Sequence, residues 1–333
     1  MSPTPRGALS RLYAGVQADL KTAFTGAQQE LSFYNETLKR TNNLTPDPEM
    51  GGDRHNGGDP TDPAPGLPTV AGGLEVCMDY NQMLWWLYAA FGAPVSSTDD
   101  GNGNWTHVFK SGAKALPFLT LDLALRSDFI KNTIGVGVND MTFGTEKSEG
   151  YRKVSLNVIA REMEKVGALT GASQTALPAR AKSAGSVGVI RINGVEAGPH
   201  IGGQFTYRND LQAIPLSDGT KYIGMLEPGD RAGEGTLRFR MQEGAGADAI
   251  IDTFDDEETP FRLELDWTKS ATQSLVIDCP RTFAPKSFPV ASNGSAMDYE
   301  ATFVAAQTKG ETPEAMLVVT LKCQTAIAAV TGE

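Results

Sequence analysis

Three histidines, three cysteines and one acidic run are the residues whose types could carry chemistry in this chain. A catalytic or zinc-binding histidine needs a paired base or further ligands nearby. His55, His107 and His200 fall separately among loop and strand segments, as solvated or structural histidines do. Cys77, Cys279 and Cys323 are far apart and lack metal-ligand spacing, so they read as buried reduced thiols. Asp252, Asp255, Asp256, Glu257 and Glu258 follow an apolar pair. They lack the Asp-x-Asp-x-Asp-Gly spacing that places calcium ligands around one ion, which makes them a solvated helix end. Gly135-Val-Gly137 lacks the third glycine and the following helix of a dinucleotide loop. Neither Gly-x-Ser-x-Gly nor His-Glu-x-x-His occurs. Asn35-Glu-Thr and Asn293-Gly-Ser match a glycosylation sequon, which has no meaning without secretion. The expectation is therefore no enzyme, no metal and no cofactor.

Size and charge narrow the classes further. At 333 residues the chain has room for one large or two ordinary domains, and 40% apolar residues with 36 Gly and 19 Pro suit a folded, turn-rich protein. No apolar run approaches the ~20 residues of a membrane helix. The start, MSPTPRGALSRLYAG, has no apolar h-region, so no signal peptide is read and synthesis in the cytoplasm is expected. The net charge of −11 comes without a basic cluster, whereas gripping nucleic acid needs Lys and Arg to displace phosphate counterions. Such a chain repels DNA, which does not prevent DNA from passing nearby.

The elements that position these residues are mostly strands. Around Ile134–Ala160 two alternating apolar and polar runs flank the turn Thr145-Glu-Lys-Ser-Glu-Gly150. Val154, Leu156, Val158 and Ala160 fall on one face and Lys153, Ser155 and Asn157 on the other, the period of a half-buried antiparallel strand. Residues 1–29 read as a loose arm with a short helix or extended piece around Leu12–Phe24. Residues 30–38 are a strand, and 41–73, with six prolines, form a long exposed loop. Leu74–Asp79 is a strand running into a helix, for which Asp79 and Gln82 match a capping box. Tyr80, Met83, Leu84, Leu87 and Phe91 mark its core face, and Gly92 and Pro94 end it. Adjacent Trp85 and Trp86 cannot both lie on that face, so one is expected at an edge or interface. Thr106–Lys110 and Phe118–Leu125 read as strands and 163–184 as a linker. From Ser186 the β pattern resumes, with a hairpin turn at Asn193-Gly194.

The second half repeats the order of the first. ELSFYNETL (30–38) answers GGQFTYRNDL (202–211), and Gly52-Asp53-Arg54 answers Gly229-Asp230-Arg231. GGLEVCM (72–78) answers GTLRFRM (235–241), and Met78 to Phe91 has the spacing of Met241 to Phe254. PFLTLDL from Pro117 answers PFRLELD from Pro260, and Val136 to Thr142-Phe143 answers Val276 to Thr282-Phe283. KVSLNVIA (153–160) answers YEATFVAA (299–306). This implies a mainly β, α+β chain of two tandem β-sandwich or partly open barrel domains, each with one flanking helix and a long hairpin. The bounds are 1–29 for the arm, 30–165 for the first domain, 166–185 for a linker and 186–333 for the second.

With these motifs in this order the chain resembles the major tail tube proteins of long-tailed bacteriophages, over nearly its whole length. The family's simplest members carry one such domain per chain. The resemblance implies a virion protein that stacks as rings into a tube for DNA, with tape measure, tail terminator and distal tail proteins as partners. It places Val136, Val138, Phe143, Lys153, Ser155 and Asn157, with Phe283, Tyr299 and Thr302, in ring-forming hairpins. Asp53, Arg54, Asp230 and Arg231 fall in loops that meet the next ring. Glu75 and Cys77 answer Arg238 and Arg240, so Glu75, Arg238 and Arg240 are candidates for an acidic edge meeting a basic one. Two inner sets per chain would close a trimer with pseudo-sixfold symmetry, without a membrane and with only non-specific DNA passage. The competing classes are another tail or baseplate component, and a carbohydrate-binding or hydrolytic β-sandwich. A sugar site needs exposed aromatics beside paired carboxylates, for which only Trp85, Trp86 and Trp105 offer themselves.

Overall fold

A computed structural model describes residues 7–47, 62–198, 200–241, 252–255, 258–286, 297–310 and 313–331. The chain is a mainly β sandwich whose sheets do not close into a barrel. Strand Phe129–Gly144 is its spine, because it belongs to two ladders in succession. Its first part pairs with Leu119–Arg126 on one side and Glu162–Val166 on the other. Past Val136 it leaves that sheet and pairs with Lys153–Ala160 and with His200–Arg208. Gly135 sits at the switch with φ +68°, its amide donates to Gln17 Oε1 at 2.7 Å, and a Cβ there would lie 2.7 Å from the Leu20 carbonyl oxygen. Only glycine accepts both that angle and that approach.

Beyond the switch one antiparallel sheet runs through both halves. Its order is Asn35–Glu36 with Lys39–Thr41, then Thr69–Cys77, Lys153–Ala160, residues 137–144, His200–Arg208, Ala232–Arg240, Asp298–Ala305 and residues 282–283. The same pairing order occurs twice in it. Flanking ladders repeat as well: Arg11–Val16 on Leu119–Arg126 has its counterpart in Val189–Ile192 on Phe261–Ser270. Glu162–Val166 on the spine is matched by Val318–Cys323 on Gln273–Phe283.

Register fixes which residues correspond. Lys153 faces Cys77 and Asp298 faces Arg240, so Lys153 corresponds to Asp298, and the sequence match to Tyr299 is one residue out. Burial agrees, with Val154, Leu156 and Val158 inside in one half and Tyr299, Ala301 and Phe303 in the other. Gly137 faces Ile159 and Phe283 faces Val304, so Phe283 stands where Gly137 does, not Phe143. Leu44 faces Pro65 and Leu211 faces Pro228. The segment Gly229-Asp230-Arg231 therefore stands where Gly66-Leu67-Pro68 does, not Gly52-Asp53-Arg54.

Helix Tyr80–Phe91 explains most of the core. Asp79 caps it by accepting from the Asn81 amide at 3.1 Å, and Gly92 closes it at φ +84°. The expected capping box is incomplete, since Gln82 Oε1 accepts from the Ser32 amide and hydroxyl instead. Trp85 and Trp86 are 2% and 1% exposed, so neither lies at an edge. The helix is covered all round, by the spine, by Trp105–Lys110 and by Val318–Cys323 and Gln273–Phe283 of the second half. One continuous apolar cluster draws on both halves as a result. Each such fully buried aromatic or aliphatic contributes roughly 1.5–3 kcal/mol. In the second half residues 252–255 form a helical turn around buried Phe254, and the rest of the expected second helix lies outside the described residues.

Three segments differ from expectation. Residues 11–16, expected in a loose arm, are a strand with Leu12, Tyr13 and Ala14 buried. The loop 41–73 is paired at both flanks, by Lys39–Thr41 with Thr69–Ala71 and Leu44–Thr45 with Ala64–Pro65. The linker is stitched down: Thr170 donates to the buried Asp122 carboxylate, and Asp79 Oδ2 accepts from the Ala181 amide at 3.0 Å. Buried Arg152 donates to the carbonyls of Gly144, Glu146, Gly185 and Val187, which locks the hairpin turn to that linker. Gly135→Val is expected to lower unfolding free energy by about 3 kcal/mol or more, since strain at the angle and overpacking add. Urea unfolding measures it, and a loss under about 0.5 kcal/mol would contradict the role given to this glycine.

Candidate assembly interface

The chemistry-bearing side chains are absorbed into packing. Buried His107 lies between the Ser97 hydroxyl, 2.8 Å from Nδ1, and the Thr325 carbonyl, 2.9 Å from Nε2, an arrangement suited to a neutral ring donating from Nε2. His200 Nε2 is 3.3 Å from Thr145 Oγ1, and His55 lies outside the described residues. All three cysteines are buried and free. Burial raises each thiol, Cys323 to about 11, which suppresses the reactive thiolate. No metal-holding group of His, Cys, Asp or Glu occurs among the described residues. The acidic run falls partly outside them.

What the fold exposes is the polar face of the through-running sheet. Lys153 and Glu75 pair at 2.7 Å, Arg208 and Glu234 at 2.7 Å, and Arg240 and Asp298 at 3.0 Å. Arg238 reaches Asp298 at 3.7 Å and Glu300 at 3.9 Å, and Asn157 donates to Asp140 at 2.7 Å. On the strands from Thr69–Cys77 to Asp298–Ala305 this face carries four cations and five carboxylates, a net −1 against −11 for the chain. Its charges are matched by neighbours, which leaves little for a phosphate to bind.

The expected site residues separate into two groups on this sheet. Lys153, Ser155, Asn157 and Thr302 lie on its exposed face and Phe283 is half-buried. Val136, Val138, Phe143 and Tyr299 point into the core, Phe143 stacked on Trp267 at 5.6 Å. Glu75, Arg238 and Arg240 sit on internal strands, each with an ion-pair partner in its own half. Asp53 and Arg54 lie outside the described residues. Arg231 is occupied within the chain, donating to the Ala113 carbonyl and to Asn209 Oδ1, and Asp230 lies beside it along a cleft.

Two ladders join the halves, neither of them marked in the sequence: Trp105–Lys110 pairs with Val318–Cys323, and the spine pairs with the strand from His200. Residues 140–144 pair with 204–208, with Met141 opposite Tyr207 and Phe143 opposite Phe205 in the core and Thr142 bonded to Thr206 at 2.9 Å outside. Buried Asn209 secures the end of this ladder by donating to the carbonyls of Ala90 and Val138. Hairpin Leu211–Pro215 with Ile223–Pro228 then folds back over the first half. Leu211 and Leu226 pack with Leu20 and Leu116, Lys21 pairs with Asp218 at 2.8 Å, and Tyr222 donates to Glu164 at 2.6 Å. The ladder leaves the outer edge of Lys39–Thr41 without a strand partner among the described residues, at one end of the sheet.

A family model described as phage tail tube protein matches residues 7–316. None of the curated proteins matches the chain.

Burial holds the His107 imidazole below its ordinary value, and His200 shifts the same way for the same reason. Between that lowered value and about 6.5 the unfolded chain binds more protons than the folded one, so stability falls as pH falls through this window. His107→Gln is expected to shrink the difference in urea midpoint between pH 7.5 and pH 5.5. An undiminished difference would remove His107 from the pH response.

Proposed function

From the premise that the chain belongs to the phage tail tube protein family, matched over residues 7–316, we propose that it polymerises as stacked rings into a tail tube whose lumen conducts DNA. Membership places it in the virion tail as a structural protein, and no helix among the described residues is long and apolar enough to cross a membrane. The observation that carries the reading is the ladder between 140–144 and 204–208, where one half of the chain already pairs edge to edge with the other. Among the described residues the sheet ends at the outer edge of Lys39–Thr41 with no strand partner, and a closed ring of copies removes such an end.

The repeated order of pairings supports a duplicated unit, in which each half supplies four strands to the running sheet. Its first copy then begins at Arg11–Val16, the counterpart of Val189–Ile192. Two units per chain favour three chains per ring, with pseudo-sixfold symmetry. The exposed face of the running sheet, polar and paired within itself, suits a lumen wall along which DNA slides. Tape measure, tail terminator and distal tail proteins would meet such a tube inside and at its ends. Nothing in this role calls for an enzyme, a metal or a cofactor.

The expected outcome is that purified protein forms rings or tubes as concentration rises, with three chains per ring by native mass spectrometry and by symmetry analysis of tube images. Monomers persisting near millimolar concentration in sedimentation would defeat the assembly reading. Six chains per ring would defeat the duplication reading alone.

A further inference from the structure

The hairpin 211–228 has a counterpart at the other end of the chain, and the two differ in what covers them. Leu211 opposite Pro228 corresponds to Leu44 opposite Pro65, and the Gly229 amide bonding to the Asp210 carbonyl corresponds to the Gly66 amide bonding to that of Asn43. Leu211 is 6% exposed because it lies on the first half: a Cβ on Gly137 would stand 2.8 Å from its Cδ1, and Ile159 packs against the same cluster. Leu44 is 65% exposed and Leu67 beside it 54%. The surface that would receive Leu44 by the same geometry is the one built on the counterparts of Gly137 and Ile159. These are Phe283 and Val304, which face each other across strands, and Val304 is 51% exposed. Beside them a cleft of about 640 Å³ runs past Ala305 and Ala306, the counterparts of Ala160 and Arg161. In the first half Arg161 is covered by the Tyr222 ring of the hairpin, at 5.3 Å. Leu44 and Leu67 at the base and Val304 at the seat are therefore exposed, with Phe283 half-buried beside Val304, while their internal counterparts are joined.

We propose that the base of the first loop, Leu44 and Pro65 with Leu67, docks on the Phe283–Val304 surface of a second copy of this chain, reproducing between chains the contact that Leu211 makes within one. The occupant is a second copy because the complementary surface exists on this chain and the internal contact supplies its geometry. The contact is head to tail, so the loop grips its lateral neighbour, where the sequence placed loop contacts on the next ring. Where it closes a ring it rests on the tube reading, but the pairwise contact can be tested without tubes.

Two singly substituted full-length chains, Leu44→Cys and Val304→Cys, are mixed and treated with a short bifunctional thiol reagent. The three native cysteines are buried and leave the new thiols as the accessible ones. The expected result is a cross-linked dimer at least tenfold more abundant in the mixture than in either chain alone. A second variant, Leu44→Asp, should leave the monomer's melting temperature unchanged and abolish the association seen in sedimentation. Cross-linking without rings or tubes would uphold this contact and overturn the tube reading. Tubes that form without cross-linking, or that Leu44→Asp leaves intact, would overturn the contact and leave the tube reading standing. Neither tubes nor cross-links would overturn both.

Discussion

Everything in this fold depends on strand edges finding partners. An unpaired row of amides and carbonyls invites uncontrolled association, and this chain pairs two such rows by turning one half onto the other. The ladder between 140–144 and 204–208 does more than join two sheets. It sets Met141 and Phe143 against Tyr207 and Phe205, which places Tyr207 stacked on Phe91 of the helix at 4.3 Å. The helix is thereby enclosed by both halves, and the apolar core continues across the junction. A second ladder, Trp105–Lys110 with Val318–Cys323, holds the second half against the helix from another side, so the halves share one core through two junctions.

Holding a long strand in two sheets needs polar fastenings where the ladders are interrupted. Arg152 fastens the hairpin turn to residues 185 and 187 through carbonyls alone, with its Cζ 5.7 Å from the Trp267 ring centroid. Asp122 does the complementary work with donors only, accepting from Gln28, Asn132 and Thr170. A buried charge without a counter-ion is tolerable when several hydrogen bonds converge on it, and removing such a centre leaves its partners unsatisfied. Both centres tie a segment of low sequence information, the stretch between 163 and 187, to the sheets.

How much of this could be read from the sequence follows from what each signal depends on. Alternation in 153–160 and 298–305 is local and was legible, as were the helix with its Gly92 stop and the repeated order of strands. Residue-level correspondence was not, because apolar alternation also matches at a wrong register; only cross-strand pairing separates Asp298 from Tyr299 as the counterpart of Lys153. Trp85 and Trp86 misled for a related reason. A helix read alone has one core face, and nothing local reveals that the second half covers the other. The exposed face at Lys153, Ser155 and Asn157 was legible from alternation, whereas the partners of Glu75, Arg238 and Arg240 depend on strand neighbours distant in sequence. Around Leu12–Phe24 the sequence left a short helix or an extended piece open, because the place of strand Arg11–Val16 inside the sheet is set by Leu119–Arg126 more than 100 residues on.

Joining two units in one chain has a thermodynamic consequence for assembly. If the ring holds three chains, half of its lateral contacts are those already made inside each chain, and these need no association. The internal ladder forms at the effective concentration of a tethered pair, while the external contact must overcome the loss of translational and rotational freedom. The two contacts can then differ in strength without harm to closure. The internal one can be nearly permanent and the external one weak enough to correct errors in register as subunits add. The difference in burial between Leu211 and Leu44 fits that division, since one side chain is packed within the chain and the other is exposed. On the same sheet face the charges are already paired within the chain, Arg208 with Glu234 and Arg240 with Asp298, which would leave the apolar Val304 opposite Glu234 as the part of that face with most to gain from a neighbour.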